Sequence, residues 1–213
     1  MSITLSLRER KKQRTAEELY EAALDLFATR PYDEVTVEEI CERAVVSRAT
    51  FFRYYGAKAG LITAFNRRVA ERVAARLETM TAATATERLW AVQDECALAW
   101  TGTGAAVRAM ARDFVGWASP ATPGADPPYP ELVDIVRDIV DAGQRAGEFD
   151  DTHTPVFVAT MLMGVFAGIT VHWLRGGDDD RLGRATHDAL DLLIRGLART
   201  DGRAAPPTKR RTK

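Results

Sequence analysis

Between Thr36 and Leu61 runs TVEEICERAVVSRATFFRYYGAKAGL, and from Ser47 to Tyr54 it gathers Ser47, Arg48, Thr50, Arg53 and Tyr54. Their common chemistry is hydrogen-bond donation from short hydroxyls and long cations. A guanidinium at Arg48 can bond guanine O6 and N7 together, and Thr50 can bond or touch a base edge. Backbone amides at a helix start also attract phosphate. The set suits recognition of a nucleic acid.

Side chains of this kind need a rigid support. Thr36-Val-Glu-Glu39 has capping-box spacing and opens a short helix through Arg43 or Ala44. Ser47 can cap a second short helix through Tyr55, after a turn spanning Ala44 to Ser47. Gly56 breaks the chain before a long helix from about Lys58 to Met80. Two short helices joined by such a turn form a helix-turn-helix, whose second helix enters the major groove. Leu19, Ala22, Ala23, Leu26 and Phe27 mark the apolar face of a preceding helix that ends at Arg30-Pro31. Thr15 and Glu18 have the spacing of its start, although bases upstream allow it to begin earlier. Leu26, Phe27, Val37, Ile40, Phe51 and Leu61 supply a small common core.

The segment resembles the signature of the tetracycline-repressor (TetR) family, whose usual form runs roughly G-V-S-R-x-T-F-Y-x-Y-F-x-x-K-x-x-L. Val46-Ser47-Arg48, Thr50-Phe51, Tyr54-Tyr55, Lys58 and Leu61 match it in register. The resemblance implies that Thr36 starts helix 2 beside a phosphate and that Ser47, Arg48, Ala49 and Thr50 face bases. It puts Phe52, Arg53 and Tyr54 at base edges or backbone and gives Lys58 a phosphate. Three positions depart from the pattern: Val45 replaces the turn glycine, Phe52 a common tyrosine and Ala57 a frequent serine. A β-branched residue resists positive φ, so Val45 is the departure with a conformational consequence.

Past the Thr/Ala-rich stretch 79–86 the helices lengthen, to about 86–101, 104–118, 129–146, 155–174 and 181–199. The expected fold is all-α, with about nine helices. A head over residues 1–60 carries a basic N-terminal arm, a ligand-binding and dimerisation domain covers 61–200, and a basic disordered tail covers 201–213. Similar proteins bind a small molecule among their middle helices. Trp90, Trp100, Met110, Phe114, Trp117 and Phe166 are the candidate lining, implying an apolar or aromatic effector. Gly164-x-x-x-Gly168 with Ala167, and Leu190, Leu193, Ile194 and Leu197, form a candidate two-fold dimer interface. A homodimer would set two reading heads one helical turn apart on a palindromic operator of double-stranded DNA.

Charge divides along the chain. Residues 1–80 are net +2, residues 81–200 net −7 and the remainder net +4. A polyanion therefore meets attraction at the ends and repulsion from the middle. Cys41 and Cys96 make no framework, which suits a reduced cytoplasm, and Ile3 to Leu7 is too short an apolar run for a secretory signal. No GxSxG, HExxH, P-loop, dinucleotide fingerprint or paired-cysteine zinc motif occurs, so no enzyme, cofactor or metal is expected. His172 is expected in the core or pocket, and Cys41 as a small buried hydrophobe. The charge-free run Pro155 to Leu174 is long enough to span a bilayer but is bracketed by aspartates; a helix buried on all sides is expected. The expected function is a ligand-responsive repressor. A helical interaction or membrane-associated protein that ignores DNA is the alternative.

Overall fold

The computed structural model describes residues 6–102, 104, 107–112, 129–176 and 179–198. The order is α1 Leu7–Thr29, a 3-10 turn Tyr32–Glu34, α2 Val37–Arg43, α3 Arg48–Tyr55, α4 Gly60–Glu78 and α5 Ala85–Thr101. Residues 107–112 are helical (α6), followed by α7 Pro130–Arg145, α8 Pro155–Leu174 and α9 Asp179–Leu197. Among the described residues the only extended pairing is an isolated bridge, Phe149 to Ala198, so the fold is all-α.

Local chemistry accounts for the helix starts. Thr36 with Glu39 and Thr84 with Glu87 make complete capping boxes, while Ser47 and Thr154 cap α3 and α8 with one hydroxyl each. The first helix begins before Thr15: Ser6 and Glu9 form its capping box, and Thr15 donates back to the Lys11 carbonyl. Arg8, Arg10, Lys11, Lys12 and Arg14 therefore ride on exposed turns of α1. At the far end of the bundle Glu148 accepts from the amides of Ala85 (2.9 Å) and Thr86 (2.8 Å), tying the end of α7 to the start of α5.

The reading-head core is filled as its pattern predicts, with Phe27, Ile40, Phe51 and Leu61 buried and Leu26 and Val37 half-buried. α4 belongs to both halves of the molecule. Arg68 donates to Glu17 at 2.5 Å and stacks on Tyr20 at 3.6 Å, both on α1. One to two turns later Arg72 and Arg76 grip Glu95 of α5 at 2.9 and 3.2 Å, and one turn before Arg68, Phe65 packs on Trp100 of α5 at 4.7 Å. α5, α7, α8 and α9 complete the bundle. α8 is long and apolar enough to cross a membrane by length and composition, yet it packs on α7 and α9. Only 33% of its most apolar window is buried, so it is covered on one side and bare on the other. The all-round burial expected of it does not occur.

Candidate functional site

α3 is held from beneath and offered from above. Phe51 is fully buried and stacks near Tyr55 at 5.4 Å, and the Tyr55 hydroxyl donates to the Ala16 carbonyl of α1 at 2.5 Å. Ser47 accepts from the Thr50 amide at 3.2 Å, and the two hydroxyls lie 2.9 Å apart, which fixes the first turn. Ser47, Arg48, Ala49, Phe52 and Arg53 are exposed, while Thr50 and Tyr54 are half-buried at the edge of the same face. Arg48 lies 5.9 Å from the Phe52 ring centre and Arg53 lies 5.3 Å from that of Tyr54.

Two residues on this surface have partners that their spacing did not announce. Arg48 pairs with Glu38 of α2 at 2.6 Å, both side chains well exposed. Such a pair is worth about 0–1 kcal/mol, less than the roughly 1–3 kcal/mol of a good bidentate base contact. A guanine can therefore draw Arg48 away from Glu38. Lys58 is committed inward: its ammonium donates to the Tyr32 carbonyl at 2.7 Å and the Val35 carbonyl at 2.9 Å, and lies 4.0 Å from the Tyr32 ring centre. It lashes the α3–α4 turn to the α1–α2 loop rather than reaching outward for a phosphate.

Thr36 is likewise spent on structure. Its hydroxyl caps α2 and donates to Glu39 at 2.9 Å, while Arg30 reaches the other Glu39 oxygen at 2.5 Å. Arg30 first, then the Thr36 amide and hydroxyl, hold the Glu39 carboxyl down at about 2. Val45, in the turn before α3, sits at φ 54° with 89% of its surface exposed. The chain keeps the left-handed turn without the glycine that relaxes it. Gly60 had no flag in the sequence. A Cβ there would fall 1.9 Å from the Tyr55 carbonyl oxygen, so the start of α4 lies directly against the end of α3.

Residues 19–65 match the family model described as bacterial regulatory proteins, tetR family. The head segment is therefore similar to the N-terminal domain of tetR-family regulators. A 52-residue stretch is 44% identical to the HTH-type transcriptional regulator TcmR of Streptomyces glaucescens, covering 24% of this chain and 23% of that protein. The whole fold is similar to Thermus thermophilus FadR, a TetR-family repressor solved with lauroyl-CoA. The two superpose with TM-score 0.69 at 21% identity, over 90% of this chain and 100% of the other. Bacillus subtilis FadR, solved with stearoyl-CoA, gives TM-score 0.60 at 18% identity, over 85% and 98%. At these identities the likeness establishes the TetR-type fold, while the head rests on its own residues.

The half beyond α4 contains a cavity of about 40 Å3 between α5, α7, α8 and α9. Leu89, Val92, Cys96, Met163, Phe166 and Leu193 are among its walls, with Gln93 and Thr186 as polar members. Of the expected lining, Phe166 is present. Trp100 and Met110 are buried in the core away from it, Trp90 stacks on His187 at 4.4 Å, and Phe114 and Trp117 lie outside the described residues. Gln93 was missed, although it interrupts the apolar spacing Leu89, Val92, Cys96 on the inner face of α5. Burial pushes the Cys96 thiol up to about 12, so it stays neutral.

The expected dimer strip divides. Gly164 and Gly168 are exposed with open space beside them, and Ala167 is half-buried. Leu190 and Leu193 line the cavity within the chain, and Ile194 and Leu197 pack against its core. The outward apolar residues are Val156, Phe157, Met161 and Leu192. Contrary to its expected burial, His172 is exposed; Cys41 is buried. Among the described residues no group of His, Cys, Asp or Glu is arranged to hold a metal.

Proposed function

We propose that this chain is a ligand-responsive transcriptional repressor acting in the cytoplasm, without enzymatic activity, cofactor or membrane association. As a homodimer it reads a palindromic operator in double-stranded DNA, and a small apolar or aromatic effector bound in the α5–α9 half releases it. The observation that carries this reading is the outward face of α3, where Arg48, Ala49, Phe52 and Arg53 are exposed while Phe51 and Tyr55 lock the helix to its support. Ser47 and Thr50 set the first turn for base contact, and Tyr54 joins from the edge. Thr36 and Lys58 contribute by holding the frame. The working division is a head over residues 1–60 and a ligand-binding and dimerisation half over 61–200, with α4 as the joint. Residues 201–213, a proposed basic tail, lie outside the described residues.

Coupling follows from α4. Movement of α5 pulls on Arg72 and Arg76 through Glu95, and α4 carries that displacement to Arg68 and the start of the head. An effector acts only by its preference for the arrangement that misplaces the two heads.

The test is selection of bound duplexes from a random pool, followed by titration of variants. Arg48→Ala is expected to weaken the selected site by about 1–3 kcal/mol and random duplex far less. Equal losses on both would remove Arg48 from base reading. Failure to bind any duplex at low salt would end the proposal.

A further inference from the structure

Gln93 is 7% exposed, and its Oε1 has no hydrogen-bond partner among the described residues. The surrounding network fixes which way the amide points. Thr186 donates its one hydroxyl proton to backbone carbonyls, at 2.8 Å to Leu182 and 3.1 Å to Gly183, and so can only accept from Gln93. The Gln93 Nε2 supplies that bond at 2.9 Å, leaving Oε1 as the unmet acceptor of a residue that lines the cavity. An unmet buried acceptor is costly, and a molecule that satisfies it recovers the penalty. Water suits the place poorly, because a buried water needs two to four polar partners and beside Gln93 the described walls offer only the Thr186 hydroxyl, already engaged, a neutral thiol and apolar side chains. No ionised side chain stands among the described walls to pair with a charged ligand.

We propose that this cavity binds a neutral, largely apolar molecule carrying a hydroxyl or N–H donor, which Gln93 Oε1 accepts. The proposal deepens the repressor reading and rests on it only in taking that molecule as the effector. The size of the cavity adds a consequence. At about 40 Å3 it is far smaller than the roughly 150 Å3 that admits benzene. A ring-sized occupant needs more room than this, so its binding must widen the space between α5, α8 and α9.

Three ring probes that differ at one substituent decide the matter: 4-fluorophenol (donor), 4-fluoroanisole (acceptor only) and 4-fluorotoluene (neither), titrated by fluorine NMR. The full chain is expected to bind the phenol about tenfold more tightly than the other two. Gln93→Met should abolish that preference while leaving the toluene unchanged. In Thr186→Val the amide is free to turn its N–H groups inward, so the anisole should gain on the phenol. Equal affinities in the unmodified chain, a preference that survives Gln93→Met, or no binding of any probe would each overturn the proposal. A DNA titration in parallel separates the two claims. Probe discrimination in a protein that ignores DNA upholds the cavity chemistry and removes the repressor reading.

Discussion

Val45 and Glu39 show how individual residues set the quality of the reading head. A β-branched residue held at φ 54° costs about 1–3 kcal/mol, whereas the flexibility of glycine in the unfolded chain costs about 0.5–1 kcal/mol. The Val45 side chain is almost wholly solvated and loses no packing when removed. Val45→Gly is therefore expected to raise stability by about 1 kcal/mol in urea denaturation; a loss would contradict the strain. Glu39 titrates at about 2 in the fold, against 4.5 ordinarily. Its lowered value means that its contribution is complete above 4.5 and lost as the pH falls toward 2. A thermal-midpoint series across that window should fall more steeply for the unmodified chain than for Glu39→Gln. Parallel curves would deny Glu39 its role. Arg48 and Lys58 share a positive charge and part in function, because one points to solvent beside Glu38 and the other into carbonyls.

At the scale of elements, the critical contact is the junction of α3 with α4. Gly56 ends α3 at φ 68°, and Gly60 lets α4 start against the Tyr55 carbonyl. Gly60→Ala puts a methyl 1.9 Å from that oxygen, a distance backbone atoms relieve only by moving. The expected outcome is a loss of about 1–3 kcal/mol in stability and weaker operator binding, since the displaced element is the reading helix itself. A variant of unchanged melting temperature and affinity would show the junction to be loose. α4 starts at Gly60 with Ala59, not Ala57, at its cap position and no side-chain cap, so packing rather than capping holds that end. Helix boundaries were legible because caps and breakers are local: Thr36, Ser47 and Thr154 start their helices as read, and α8 runs from Pro155 to Leu174. The start of α1 was open in the sequence, because Ser6-Glu9 and Thr15-Glu18 both have capping-box spacing and bases upstream allowed an earlier start; the earlier box is used.

At the scale of the molecule, the bare side of α8 is where we propose that a second copy of the chain packs. Phe157, Met161, Gly164, Gly168 and His172 lie along one stripe at helical spacing, with Leu192 of α9 72% exposed. Two-fold pairing through this strip would bury it and space the two heads. Leu192→Asp leaves the subunit core untouched but places a charge in that contact. It is expected to raise the dimer dissociation constant by about 30-fold or more, read by sedimentation, with operator affinity falling in step. Sedimentation identical to the unmodified chain would move the interface elsewhere.

By itself, the sequence determined the all-helical architecture, the helix-turn-helix and the face of α3 that meets solvent. Those depend on capping residues, apolar periodicity and breakers, all of which act within a few residues of themselves. Only the tertiary structure decided that Lys58 turns inward, that Arg48 rests on Glu38, that Leu190 and Leu193 line a cavity, and that Gln93 keeps an unpaired oxygen there. Each depends on a neighbour distant along the chain or on another helix, and spacing along one helix carries no record of which face its partners will cover.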